Sequence, residues 1–242
     1  MLVKENALVV MLKVPEPGKV KTRLVPPLDL DEAAGLYRCF IEDTISRVQH
    51  ISELQGPHNN IRLFAAYTPQ NQKNAISSIL PSTVNLMPQR GHDLGERLFG
   101  VFERLFTKNY KRVVIIGSDS PDIPLDFIRR AFELLIMRKG GLVIGPSEDG
   151  GYYLIAMDRS WRIPFEGIPW STCNVLEETI GRCKGKGIEV SLLPSWSDID
   201  TIEDIIKLID NPLTPASSRY IRENLLRIIE YPSGDCPRFA KR

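Results

Sequence analysis

Several polar segments of this chain stand where apolar runs stop, and their residue types suit phosphate and metal chemistry. The first is KVPEPGKVKTRL (13–24), directly after ALVVML. Backbone amides with several cations suit a diphosphate or triphosphate. A Walker A loop would take Gly18 and Lys19 as its GK pair. However, Lys13 occupies the first glycine position, and Val20 stands where Ser or Thr would hold magnesium. The P-loop reading therefore fails. What remains is a strand-end turn of Pro15, Pro17 and Gly18 carrying Lys13, Lys19, Lys21 and Arg23, with a solvated basic turn as the alternative.

The second segment, VVIIGSDSPDIP (113–124), ends a buried run in Asp119 and Asp122. Carboxylates there can hold Mg²⁺ or Mn²⁺ against phosphate oxygens. Asp122 also suits a turn or cap before Pro124. In GPSEDGGYYLIAM (145–157), Gly150 and Gly151 permit close approach of backbone to a ligand beside Asp149. A hairpin turn is the alternative there, but the flanking apolar runs are unequal. In SWSDIDTIEDI (195–205), Asp200 with Glu203 reads as a capping arrangement, and a capping carboxylate can still turn one oxygen to a metal. QRGHDLGERL (89–98) offers Gly95 and Arg97 at a helix start. Lastly, PWSTCNVLEET (169–179) places Trp170, Ser171 and Thr172 before another helix, where Thr172 could serve only as N-cap.

These segments need elements to position them. Continuous apolar runs predict strands at 7–13, 61–67, 84–89, 112–117, 141–146, 152–157 and 188–194. Helical periodicity predicts helices over 31 to about 51, 70–80, 93–107, 124–141, 172–184, 201–210 and about 216–230, the first capped by Asp29 or Asp31. Strands alternating with helices imply βαβ units and a mainly parallel sheet, and such sheets bind ligands at the C-terminal ends of their strands.

With 242 residues and a formal net charge of +1, the chain carries no bulk field for nucleic acid or membrane. Its apolar runs are too short to span a bilayer. Cys39, Cys173, Cys183 and Cys236 lack zinc or disulfide spacing, and the first residues lack the layout of a secretory leader. The expectation is a cytoplasmic protein with reduced thiols, no nucleic-acid partner and no membrane span.

In this order and with these spacings, the segments resemble the transferases named rSAM/selenodomain-associated transferase 1, or DUF2064 proteins, across about residues 5–210. The resemblance implies an α/β fold of GT-A, nucleotide-diphospho-sugar transferase type: three layers, α/β/α, Rossmann-like, around a mainly parallel mixed sheet. Residues 1–210 would form that domain. Residues 211–242 would add a helix and a polar tail, packed on it or at an oligomer interface, and a homodimer stays open. By the same resemblance, Mg²⁺ or Mn²⁺ would sit on Asp119 and Asp200. The segment around Asp200 has Ile202 where proline is usual in related nucleotidyltransferases. Lys13, Gly18, Lys21, Arg23, Gly95 and Arg97 would hold the nucleotide and its phosphates. Asp149 and Asp119 would be catalytic. Asp122, Gly150, Gly151, Tyr152, Trp170, Ser171 and Thr172 would face the sugar or acceptor. The implied activity is metal-dependent glycosyl transfer from a nucleotide-diphospho-sugar to a small molecule. KTRL is also similar to the loop of phospholactate guanylyltransferases, which keeps nucleotidyl transfer from an NTP, with release of pyrophosphate, as a rival. A catalytically silent nucleotide-binding partner protein is the third reading.

Overall fold

The computed structural model of the chain describes residues 6–52 and 61–230. The elements run β1 (Asn6–Lys13), α1 (Leu30–Gln49), β2 (Ile61–Thr68), α2 (Lys73–Ser77), β3 (Asn85–Pro88), α3 (Leu94–Thr107), β4 (Arg112–Ile116) and α4 (Leu125–Met137). They continue with β5 (Leu142–Pro146), β6 (Tyr152–Met157), α5 (Val175–Lys184), β7 (Val190–Leu192), α6 (Ile202–Leu208), α7 (Pro215–Tyr220) and α8 (Leu226–Glu230). The seven strands form one sheet in the order β3-β2-β1-β4-β6-β5-β7. All neighbours are parallel except β6, which runs antiparallel to both β4 and β5.

Alternation along β1 explains the layering. Leu8, Val10 and Leu12 join the core beneath α1 and α4, while Ala7 and Val9 join the core beneath α3. A strand apolar on both faces belongs in the centre of such a sheet. Phe40, Phe102 and Phe132 are among the largest fully buried side chains. Each contributes about 1.5–3 kcal/mol relative to exposure. The result is the three-layer α/β/α arrangement expected, with a mainly parallel mixed sheet.

Helix starts follow local chemistry. Asp29 caps α1 with Glu32 in a reciprocal capping box, and the Asp93 side chain accepts from the Glu96 amide at the start of α3. At α6 the cap is Thr201, paired with Asp204, rather than the Asp200–Glu203 arrangement expected. That one-residue shift frees Asp200 for other work.

Two further differences have physical reasons. The EDGG segment is the turn of the β5–β6 hairpin: Pro146 pairs with Tyr152, and the Ser147 amide donates to the Gly151 carbonyl at 3.0 Å. The unequal apolar runs that argued against a hairpin are absorbed by a register shift between Gly145 and Pro146. The helix expected over 216–230 is α7 and α8 joined by a π-helical turn, Ile221–Leu225. It lies on α1, where the buried Asp43 carboxylate accepts from the Ala216 amide (2.9 Å), the Ser217 amide (2.8 Å) and the Ser217 hydroxyl (2.5 Å). The polar tail from 231 onward, with Cys236, lies outside the described residues.

Candidate active site

The C-terminal ends of β1 and β4 open into a cleft of about 430 Å³. The 13–24 loop enters it through a short 3₁₀ turn, Thr22–Leu24, that begins on Lys21. Lys21 adopts a left-handed backbone, φ 45° and ψ 38°, which is uncommon for a residue other than glycine. Its side chain is only 3% exposed, and its ammonium lies 2.5 Å from Asp119 Oδ1, 3.2 Å from Asp200 Oδ1 and 2.9 Å from the Ile199 carbonyl. The Phe40 ring centroid is 5.4 Å from the same nitrogen. Burial disfavours the charged lysine, but Asp119 and Asp200 outweigh it and raise its pKa above the ordinary value. Arg23 is exposed and donates to Asp200 Oδ2 at 2.7 Å.

The two acidic segments are joined through their backbones as well. The Ile199 amide donates to the Asp119 carbonyl at 3.0 Å, and the Ser120 hydroxyl donates to Asp198 Oδ1 at 2.6 Å. Burial, then the negative charge of Asp119, pushes the Asp198 carboxyl up to about 6. Asp119 and Asp198 are the only carboxylates that line the cleft among the described residues. Tyr37, from α1, accepts from the Lys13 amide at 3.1 Å and shares a hydrogen with the Ser118 hydroxyl at 2.7 Å. Burial keeps its phenol protonated. Buried Gln89 donates through Nε2 to the Leu12 and Ala66 carbonyls at 3.1 and 2.7 Å, tying β1 to β2 beneath the cleft.

The expected residues divide between the cleft and its surroundings. Lys13, Lys21, Arg97, Asp119, Tyr152 and Ser171 line it, and Asp200 joins through Lys21. Gly18, with φ 74°, forms the exposed bend of the loop. Gly95 does not line the cleft. A Cβ there would meet Trp170 Cζ2 at 2.8 Å, so this glycine admits the indole. Trp170 in turn stands edge-on to Tyr152, with centroids 6.3 Å apart. Asp122 also lies outside, where it accepts from Trp196 Nε1 at 3.2 Å. Asp149 is exposed on the hairpin and accepts from the Gly151 amide at 3.0 Å. Gly150, at φ 88°, approaches the chain itself: a Cβ would lie 2.0 Å from the Cys173 carbonyl oxygen. Thr172 is a turn former whose hydroxyl donates to the Pro169 carbonyl at 2.8 Å, and α5 starts on Asn174 instead. Asp198, Tyr37 and Gln89 were not among the expected site residues. Asp198 alone had a local signal: in DID, the two acids share one face of an extended segment with Ile199 turned inward.

Among the described residues no group of three or more His, Cys, Asp or Glu is arranged to hold a metal ion, and no helix is long and apolar enough to cross a membrane. No curated protein matches the chain in sequence. The chain is similar to a solved candidate nucleotide-diphospho-sugar transferase of Desulfovibrio desulfuricans G20: 33% identity, 94% of this chain and 98% of that one, TM-score 0.81. More distantly it shares the fold of a 4-diphosphocytidyl-2C-methyl-D-erythritol synthase of Anaerococcus prevotii DSM 20548 (12% identity, 90% and 99% covered, TM-score 0.53). It also shares the fold of a CMP:2-keto-3-deoxy-manno-octonic acid synthetase solved with CTP (12% identity, 84% and 96% covered, TM-score 0.52). Residues 54–172 match the family model described as an uncharacterized protein conserved in bacteria, DUF2064. With that match inside a nucleotide-diphospho-sugar transferase fold, the chain belongs to the DUF2064 family.

Proposed function

We propose that the protein is a metal-dependent transferase that takes a nucleotide-diphospho-sugar donor and moves its sugar to a small-molecule acceptor in the cytoplasm. The observation that carries this reading is the convergence of Asp119 and Asp200 on one cation, the Lys21 ammonium, at the ligand-binding edge of the sheet. The likeness to the 33% identical candidate nucleotide-diphospho-sugar transferase supports it.

The donor set fits a hard divalent ion. Mg²⁺ and Mn²⁺ prefer oxygen ligands, and Mg²⁺ is commonly held by one or two carboxylates together with substrate phosphates. When bound, the ion supplies charge stabilisation to the departing nucleoside diphosphate. Lys13, Arg23 and the Gly18 bend hold the donor phosphates, with Lys21 and Arg97 alongside. As the bond from the sugar carbon to the phosphate oxygen breaks, its electrons go to that phosphate, and the acceptor oxygen bonds to the sugar carbon. Asp198 is the cleft carboxylate left to take the proton from the acceptor hydroxyl. We assign it this role in place of Asp149, which is exposed and does not line the cleft. Tyr152 and Ser171, backed by Trp170, wall the acceptor end.

The test is a thermal-shift series with ADP-, CDP-, GDP- and UDP-sugars, with and without Mn²⁺, on the wild type and Asp119→Ala. One donor should stabilise the wild type, more strongly with Mn²⁺, and lose its Mn²⁺ dependence in the variant. Unchanged Mn²⁺ dependence in Asp119→Ala would remove the metal assignment. Release of pyrophosphate from an NTP, with no nucleotide sugar bound, would replace glycosyl by nucleotidyl transfer.

A further inference from the structure

An ammonium has three protons to donate, and Lys21 has three acceptors: Asp119 Oδ1 at 2.5 Å, Asp200 Oδ1 at 3.2 Å and the Ile199 carbonyl at 2.9 Å. It has none left for a phosphate. Asp200 is equally committed, with Oδ1 on Lys21 and Oδ2 on Arg23 at 2.7 Å. Each Asp200 oxygen keeps a second lone pair, but a divalent ion there would sit against Lys21 and Arg23 until one of these cations moves, and Lys21 cannot donate to a phosphate until it releases an acceptor. One movement meets both needs.

We propose that Lys21 is a resident cation of this carboxylate pair, and that an arriving diphosphate draws it away, so that a divalent ion binds together with the nucleotide and not before it. This rests on the reading that the cleft takes a nucleoside diphosphate. The charges argue for it. In the resting arrangement Lys21 and Arg23 are paired with Asp119 and Asp200, with Asp198 held apart from them on the Ser120 hydroxyl. A divalent ion added alone would crowd two further positive charges against two cations already in place. An anionic diphosphate gives those cations a new partner and leaves the carboxylates for the metal. Burial sharpens the choice, because the Lys21 side chain is only 3% exposed and solvent cannot stand in for a lost partner.

The experiment is calorimetric titration of Mn²⁺ into the wild type, Lys21→Met and Lys21→Arg without nucleotide. It is then repeated on the wild type saturated with whichever of ADP, CDP, GDP or UDP stabilises it most, with protein-free nucleotide blanks subtracted. Bound nucleotide should tighten Mn²⁺ binding by about tenfold or more, and bound Mn²⁺ should tighten the nucleotide by the same factor. Lys21→Met should bind Mn²⁺ without nucleotide at least about tenfold more tightly than the wild type. Lys21→Arg, which keeps the charge, should not. Equal Mn²⁺ affinity with and without nucleotide refutes the exchange and leaves the transferase reading intact, and this comparison needs no variant to fold. Equal affinity of folded Lys21→Met and wild type for Mn²⁺ alone also refutes it. Failure of every nucleotide to bind refutes the donor reading and the exchange with it.

Discussion

Replacing Asp43 by alanine should detach the C-terminal helices from the body of the protein. The Asp43 carboxylate is 2% exposed, in the middle of α1, and satisfies the Ala216 and Ser217 amides and the Ser217 hydroxyl. Those amides belong to the first turn of α7, which has no side-chain cap of its own. A hydrogen bond to a charged group contributes about 1.5–3 kcal/mol, and each buried donor left bare costs about 1–3 kcal/mol. The terms are not additive, so Asp43→Ala should lose about 4 kcal/mol. With a urea m-value of about 3 kcal/mol/M, the unfolding midpoint should fall by about 1 M. Asp43→Asn keeps one acceptor and should lose about half as much. Asp43→Ala and Ser217→Ala in a double-mutant cycle should couple by about 1 kcal/mol or more. A loss below about 1 kcal/mol for Asp43→Ala, with no coupling to Ser217, would show that this helix start does not depend on α1.

Three more outcomes are expected. Gly95→Ala would place its Cβ 2.8 Å from Trp170 Cζ2 and 2.9 Å from the Phe165 carbonyl oxygen; it should cost about 1–3 kcal/mol and shift the tryptophan emission. The Asp198 carboxyl, raised from 3.8 to about 6, binds its proton more tightly in the folded than in the unfolded chain, so it costs stability as pH rises from about 4 to 6. Asp198→Asn should remove that slope, about 3 kcal/mol at most, in metal-free urea unfolding curves; parallel pH profiles for variant and wild type would contradict it. Burial pushes the Cys39 thiol up to about 12 and Cys183 to about 11. At pH 8, iodoacetamide should therefore label exposed Cys173 long before either, as read by peptide mass spectrometry.

Strand and helix types followed from periodicity because the runs are long and their apolar faces single-valued, as in β1 and α3. Where direction rather than type was at stake, periodicity is silent. The β5–β6 turn shows its unequal flanks in the sequence, but nothing local marks the register shift that lets them close a hairpin. Likewise, KVPEPGKVKTRL shows several cations but not which one is buried. Lys21 is distinguished only by acids about 100 and 180 positions away in sequence. Asp43 is the instructive miss. A carboxylate among Phe40, Ile41, Thr44 and Ile45, on the buried side of α1, announces a partner that the helix itself cannot provide. Asp198 could have been found by reading DID as extended chain rather than as the approach to a cap.

The reversed direction of β6 has an evolutionary consequence. Each parallel strand offers the cleft the loop by which it leaves the sheet. β6 instead offers the loop by which it arrives, so the 147–151 turn begins and ends at the same rim. Lengthening such a turn before Gly150, whose carbonyl accepts from the Leu176 amide, disturbs no strand register and adds loop-closure entropy of about 0.6 kcal/mol for each doubling. The wall that carries Tyr152 can therefore drift in shape while the carboxylates opposite stay fixed. On this scaffold a change in that turn reshapes one wall of the cleft without rebuilding the loop that carries Lys21 or the strand end that carries Asp119.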